Sequence, residues 1–315
     1  MSQTLAIIDF HSHHVPASWP LATLSNFPAS QRERWERINA RLADAGALTQ
    51  GIDTGDIAGR VVNIPTALFT PGRQVPAADT FRKVNDQVAA ITAAQPGRLH
   101  GIASVDAFGG EAAANELVRA VRSLGLRGVF LESEQDGRLL DAPEARPVLT
   151  AAAELGIAVF AHPVNPKGLT EQLARYGQVG TLFARGTINA AALIALVEGG
   201  VFDALPGLRV AFTNLAIGGL LHVRSFGRRA ADGQTDIGVL LRRHVYIDTM
   251  GFDPVLIRAA ADIVGVDHVL AGSDWPIVSD EPISRRLAAS LTAAGFDPTD
   301  QQKIAGGNTR TLLGL

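Results

Sequence analysis

Apolar residues in this chain fall in short continuous runs separated by longer stretches of helical spacing. The runs are Leu5–Ile8, Arg60–Ile64, Leu99–Val105, Arg127–Leu131, Ile157–Ala161, Leu208–Thr213, Val245–Asp248 and His268–Ala271. Short runs rich in Val, Ile, Leu and Phe mark parallel strands covered on both faces. Helical spacing predicts helices over Ala78–Ala94, Glu111–Leu124, Ala142–Leu155, Leu169–Gly199, Gly219 to about Ala230, Asp253–Val264, Glu281–Ala294 and Pro298–Leu313. Eight strand–helix units predict an α/β fold, a (β/α)8 TIM-type barrel, as one domain over residues 1–315. A doubly wound open sheet is the competing arrangement. It usually begins with a Gly-rich turn after its first strand, and here that turn carries His-x-His. Residues 15–55 break the rhythm with Pro16, Pro20 and Pro28 and then a charged helical run, Gln31–Ala45. They read as a small helical insertion after strand 1.

Chemistry in such a barrel belongs at the C-terminal strand ends. Strand 1 ends in Asp9, His11 and His13, strand 5 in His162-Pro163, and strand 8 in Gly272-Ser273-Asp274-Trp275-Pro276. Residues i and i+2 of an extended strand point the same way, so His11 and His13 can offer two imidazoles to one point. A single His at a strand end is more often a structural hydrogen-bonder. Three His and one Asp on one rim suit Zn²⁺ or Mn²⁺. By contrast His100, His244 and His268 stand at strand beginnings, where stability is the expected role.

Composition narrows the class. Apolar residues are 47% and charged residues 19% of the 315, as in compact globular proteins. A net charge of −3 gives no electrostatic case for nucleic acid. The absence of Cys excludes disulfides, thiolate metal sites and a Cys nucleophile. Leu5–Ile8 is too short for a signal-peptide core, and no window approaches 18 uninterrupted apolar residues. A cytoplasmic enzyme with no membrane span is therefore expected.

Asp9-Phe10-His11-Ser12-His13, His162-Pro163 and Gly272-Ser273-Asp274-Trp275-Pro276 together resemble the metal motifs of the amidohydrolase superfamily. The branch is the amidohydrolase-related, aminocarboxymuconate-semialdehyde decarboxylase-like group. Asn85-Asp86, Pro96-Gly97-Arg98-Leu99 and Gly306-Gly307-Asn308 extend the resemblance along the chain. It implies a mononuclear site with His11, His13, His162 and Asp274 as ligands. Branches that bridge two metals use a carboxylated Lys on strand 4. Strand 4 here, Gly128-Val129-Phe130-Leu131-Glu132, has none. Zn²⁺ is the expected metal and Mn²⁺ the alternative. The resemblance also implies a homo-oligomer, a dimer, and a small carboxylated substrate.

One departure bears on mechanism. The family usually carries a proton-transferring His after strand 6, before a Gly pair. This chain reads Phe212-Thr213-Asn214-Leu215-Ala216-Ile217-Gly218-Gly219, which puts Ala216 in that place. Asp274 is then the first candidate to move a proton and His222 the second, although His222 has a structural reading on its helix. Arg185 and Lys167 suit a substrate carboxylate, Asn214 a substrate hydrogen bond, and Trp275 a pocket wall. Without the strand-6 His, the reading leans to a metal-dependent hydrolase of a carboxylated aromatic-derived, lactone or amide substrate, with Asp274 accepting a proton from water. Non-oxidative decarboxylation of a small aromatic or muconate-type acid is the alternative. A non-catalytic barrel that keeps its metal is a third reading.

Overall fold

The computed structural model describes residues 4–19, 29–65, 68, 75–226, 236–278 and 282–315. Its eight main strands are β1 (Ile8–His13), β2 (Gly59–Asn63), β3 (Leu99–Gly101, continued by Ala103–Ser104), β4 (Gly128–Glu132), β5 (Ala158–His162), β6 (Arg209–Phe212), β7 (Val245–Asp248) and β8 (Val269–Leu270). Each pairs in parallel with the next. Closure comes from the last strand's extension. Phe10 N–H donates to the Ala271 carbonyl at 2.7 Å, His13 N–H to that of Trp275 at 2.9 Å, and Ser12 bridges to Trp275. The result is the expected eight-stranded barrel with its helices outside.

The barrel interior is filled by Ile8, Phe10, Val61, Ile102, Phe130, Ala158, Phe160, Ala211, Tyr246 and Leu270. A second apolar layer, including Val129, Leu131, Val159, Leu193, Leu196 and Val210, lies between strands and helices. Strand alternation explains the partition: Phe130 and Phe160 face in, and their neighbours Leu131 and Val159 face out. Leu169–Glu198 is helical, long and apolar enough to cross a membrane by length and composition. The sequence reading missed this because it counted only uninterrupted runs. Here the segment lies along the barrel, with Ala184, Leu193 and Leu196 fully buried.

Two local departures matter. First, the described chain after β6 runs through short turns at Asn214–Ala216, Ile217–Leu220 and Val223–Ser225, and its helix comes late, at Ile237–His244. Gly218-Gly219 is a poor helix former. Gly219 is also closely packed, since a Cβ there would lie 3.2 Å from the Ala190 carbonyl oxygen. The rest of that expected helix, beyond 226, lies outside the described residues. Second, the closing helix is split into Pro298–Gln302 and Asn308–Leu313 by a π-turn at Lys303–Gly307. There Gly306 packs on the chain entering β1, where a Cβ would come within 2.4 Å of the Ala6 carbonyl. Insertion helices Ala29–Ala43 and Ala45–Asp53 fall between β1 and β2.

Candidate metal centre

The register of β1 against β2 shifts between Asp9 and Ser12. Plain alternation would put Ile8 and Phe10 inside and both His11 and His13 outside. A bulge of this kind re-aims the following side chains. Phe10 and His11 accordingly both pack on Phe160, at ring-centre distances of 5.1 and 4.8 Å, and His13 follows inward two residues on. His162 faces in at the end of β5 and Asp274 at the end of the β8 segment. The ligating atoms of His11, His13, His162 and Asp274 lie within 4.8 Å of one another, and all four residues are buried. Asp274 takes a left-handed backbone conformation, φ +56°, as the chain turns back toward β1.

Hydrogen bonds fix how the imidazoles face. His11 Nδ1 is 2.6 Å from Asp248 Oδ2, and a carboxylate only accepts, so Nδ1 carries the proton. His13 Nδ1 is 2.8 Å from Asn63 Oδ1, whose amide nitrogen is committed to the Ser12 carbonyl, so here too Nδ1 is the donor. Both Nε2 lone pairs therefore face one point, 3.2 Å apart. Asp274 Oδ1 adds negative charge 3.3 Å from His11 Nε2 and 3.0 Å from His13 Nε2. Such a convergence of lone pairs and charge, shut away from water, calls for a cation at its centre, and these donors suit a divalent metal.

Charge coupling agrees. Burial opposes charging His11, but Asp274 and the bond to Asp248 outweigh it and raise its pKa. Burial, then the charges of Arg185, His13 and His11, push the His162 pKa well down, which leaves it a neutral ligand. Burial would raise Asp274, yet His11, His13 and Arg185 hold it below the usual carboxylate range.

Surrounding groups hold the ligands. Asp248 Oδ1 accepts the backbone N–H of Asn214 at 2.8 Å and of Met250 at 3.0 Å, so this carboxylate ties β6, β7 and His11 together. Gly272 makes the close approach possible, because a Cβ there would lie 2.9 Å from the Asp248 Cβ and 3.0 Å from the His11 Cβ. Asp9 acts differently. It accepts from Ser273 N and Oγ at 3.0 and 2.7 Å and from the buried Arg60 at 2.8 Å, clamping β1, β2 and β8 below the rim.

The remaining candidates separate. Arg185 is half-buried, and its charge acts on both His162 and Asp274. Glu132 stands beside His162 in register, and its charge acts on Arg185. Asn214 is buried on the rim. Lys167 is exposed and forms no ion pair with a described residue. His222 is also exposed, and among the described residues no hydrogen bond or ring contact joins it to the cluster. Trp275 is no pocket wall. It is 2% exposed on the outer side of the barrel, among Leu48, Val62 and Leu99, with the Arg60 guanidinium 4.4 Å from its ring centre. Ala216 is likewise corrected: it is fully buried in the outer core. The rim place after β6 is held by Asn214, two residues earlier. Asn63 was missed by sequence reasoning, although its position closing β2 was a usable signal.

An amidohydrolase family model matches residues 8–315. The chain belongs to the amidohydrolase family. Within it the chain falls in the aminocarboxymuconate-semialdehyde decarboxylase-like branch. It is 24% identical to 2-amino-3-carboxymuconate-6-semialdehyde decarboxylase of Dictyostelium discoideum, over 98% of this chain and 91% of that one. It is 26% identical to gamma-resorcylate decarboxylase of Polaromonas sp., over 75% of this chain and 77% of that one. Among solved structures, 5-carboxyvanillate decarboxylase from Sphingomonas paucimobilis superimposes with a TM-score of 0.80 at 20% identity, covering 99% and 100% of the two chains. A dihydroxybenzoic acid decarboxylase from Polaromonas sp. JS666, with bound manganese and 2-nitroresorcinol, gives 0.80 at 22%, covering 99% and 97%. These proteins are decarboxylases. They back the decarboxylation alternative better than the hydrolase reading, which rested on Ala216 standing in the strand-6 rim place.

Proposed function

We propose that this amidohydrolase-family enzyme is a metal-dependent, non-oxidative decarboxylase of a small aromatic or muconate-type acid. The single observation that carries the reading is the buried convergence of His11, His13, His162 and Asp274 in a chain whose similar proteins are decarboxylases. The four residues would hold one divalent cation, Zn²⁺ or Mn²⁺. When bound, it would supply a fixed positive charge that orients the substrate's oxygen atoms and stabilises developing negative charge.

The chain's own residues then divide the work. Arg185 binds the incoming acid by its guanidinium, whose Nη1 donates to Asn165 Oδ1 at 3.4 Å and which feels the charge of Glu132. Asp274 is ionised at neutral pH, since His11, His13 and Arg185 lower its pKa. It accepts a proton from the arriving substrate and returns it to the carbon that bears the carboxylate. The bond to that carboxylate breaks, CO₂ leaves, and the electron pair stays in the ring. Phe130 and Phe160 form the apolar floor beneath the ligands. Exposed Tyr176, Val179 and Phe183, spaced along one helical face, support a homo-oligomer, and we place the enzyme in the cytoplasm.

Purified metal-loaded protein incubated with hydroxybenzoates and carboxymuconate-type acids is expected to release CO₂ in step with loss of substrate. Asp274→Asn is expected to reduce the rate by roughly 10²- to 10⁴-fold. Lactone or amide cleavage without CO₂ would overturn the reading.

A further inference from the structure

Arg60 and Asp9 form an ion pair at 2.8 Å, with both side chains fully shut off from solvent. Burial lowers the Arg60 pKa to about 10 against the pull of Asp9, so the guanidinium is charged at neutral pH. A buried pair of this kind often adds no stability over well-packed apolar side chains, since both charges must leave water. What it does set is direction. Arg60 Nε donates to the Leu48 carbonyl at 3.1 Å, which ties the guanidinium to the insertion helix Ala45–Asp53. Nη1 then meets Asp9, and the Trp275 ring centre lies 4.4 Å from the guanidinium carbon. Asp9 in turn accepts from Ser273 N–H at 3.0 Å and from Ser273 Oγ at 2.7 Å. The residues on either side of Asp274 are thus both held through one guanidinium. Between them Asp274 keeps φ +56°, a left-handed backbone that a non-glycine residue holds only where its surroundings fix it. From there its Oδ1 stands 3.3 and 3.0 Å from the Nε2 atoms of His11 and His13.

We propose that Arg60 is a positioning residue for Asp274: by holding Ser273 through Asp9 and Trp275 through its ring, it fixes the turn from which Asp274 reaches the metal centre. The inference rests on the metal-centre reading of the four-residue cluster and is independent of the reaction that follows. It makes the insertion part of the site, since Leu48 orients the guanidinium. Lysine does not replace arginine in this role. It carries a charge to Asp9, but it has no plane to lay on the indole and no second donor held rigidly toward Leu48.

Co²⁺ is the probe, with its affinity read by competition with a chromophoric chelator and its coordination by visible absorption at saturation. Arg60→Lys is expected to bind Co²⁺ roughly 10- to 100-fold more weakly than wild type, with a spectrum displaced toward that of Asp274→Ala. Adding Arg60→Lys to Asp274→Ala is expected to cost no further affinity, because Arg60 acts through Asp274. If Arg60→Lys does not fold, Trp275→Phe, which draws the ring away from the guanidinium, is read in the same way. Wild-type affinity and spectrum in the single variant, or losses that add in the double variant, overturn the proposal. Wild type that takes up no Co²⁺ would sink the metal centre and this proposal with it, whereas Co²⁺ binding that ignores Arg60 sinks the proposal and leaves the metal centre standing.

Discussion

At the scale of single residues, the direction of the cluster's lone pairs is set by groups outside it. Asp248 and Asn63 each fix one ring tautomer, and through it the direction of one lone pair. Partners of this kind typically account for 10- to 100-fold in metal affinity. Asp248→Ala is expected to weaken metal binding by roughly that factor, measured by competition with a chromophoric chelator. An unchanged affinity would mean His11 is held by packing alone. His14, next in sequence, faces a different environment. It turns outward under the insertion, and burial, only partly offset by Leu42 and Asp44, lowers its pKa from 6.5 to about 4. Above pH 6.5 both folded and unfolded chains carry it neutral. Below that the unfolded chain takes a proton that the fold refuses, so stability falls until about pH 4. The loss is on the order of 3 kcal/mol across the window. Urea unfolding of His14→Phe is expected to show a flatter decline between those pH values, and an equal decline would place the acid sensitivity elsewhere.

At the scale of elements, the site depends on strands approaching unusually closely. The β1 bulge turns His11 inward, and Gly272 leaves room for it beside Asp248. Gly272→Ala puts a methyl group within 3.0 Å of both neighbours. Neither is the free end of a flexible chain, so strands must part. Overpacking of this kind costs about 1–3 kcal/mol. The variant is expected to fold with a lowered melting temperature and to lose most of its bound metal, read by calorimetry and elemental analysis. Full occupancy would show that the rim adjusts more freely than the packing implies. These features also explain what the sequence hid. His-x-His was legible as a same-face pair, but nothing in Ile8–His13 announces that Phe10 shares that face too. The strand-6 misplacement has a similar origin. Counting back from Gly218-Gly219 points to Ala216, whereas the strand stops at Phe212 and Asn214 takes the rim. Trp275 was misassigned because adjacency to Asp274 says nothing of direction, and the turn after Asp274 sends its ring outward to Arg60.

At the scale of the molecule, the barrel was the most legible feature, since each of the eight short apolar runs became a strand. The rule that barrel chemistry gathers at the C-terminal rim then selected three of eight histidines, leaving His244 and His268 stacked on Phe202 and Tyr246 at strand beginnings. The choice of reaction was not legible, because hydrolysis and decarboxylation draw on the same ligands. Strands β1, β5 and β8, far apart in sequence, bring His11, His13, His162 and Asp274 together only because the sheet closes on itself. The most direct test of that account is the metal content of the purified protein by elemental analysis, taken with His162→Ala. The account predicts one tightly held divalent ion per chain in wild type and little in the variant. Two ions per chain, or full occupancy without His162, would contradict it.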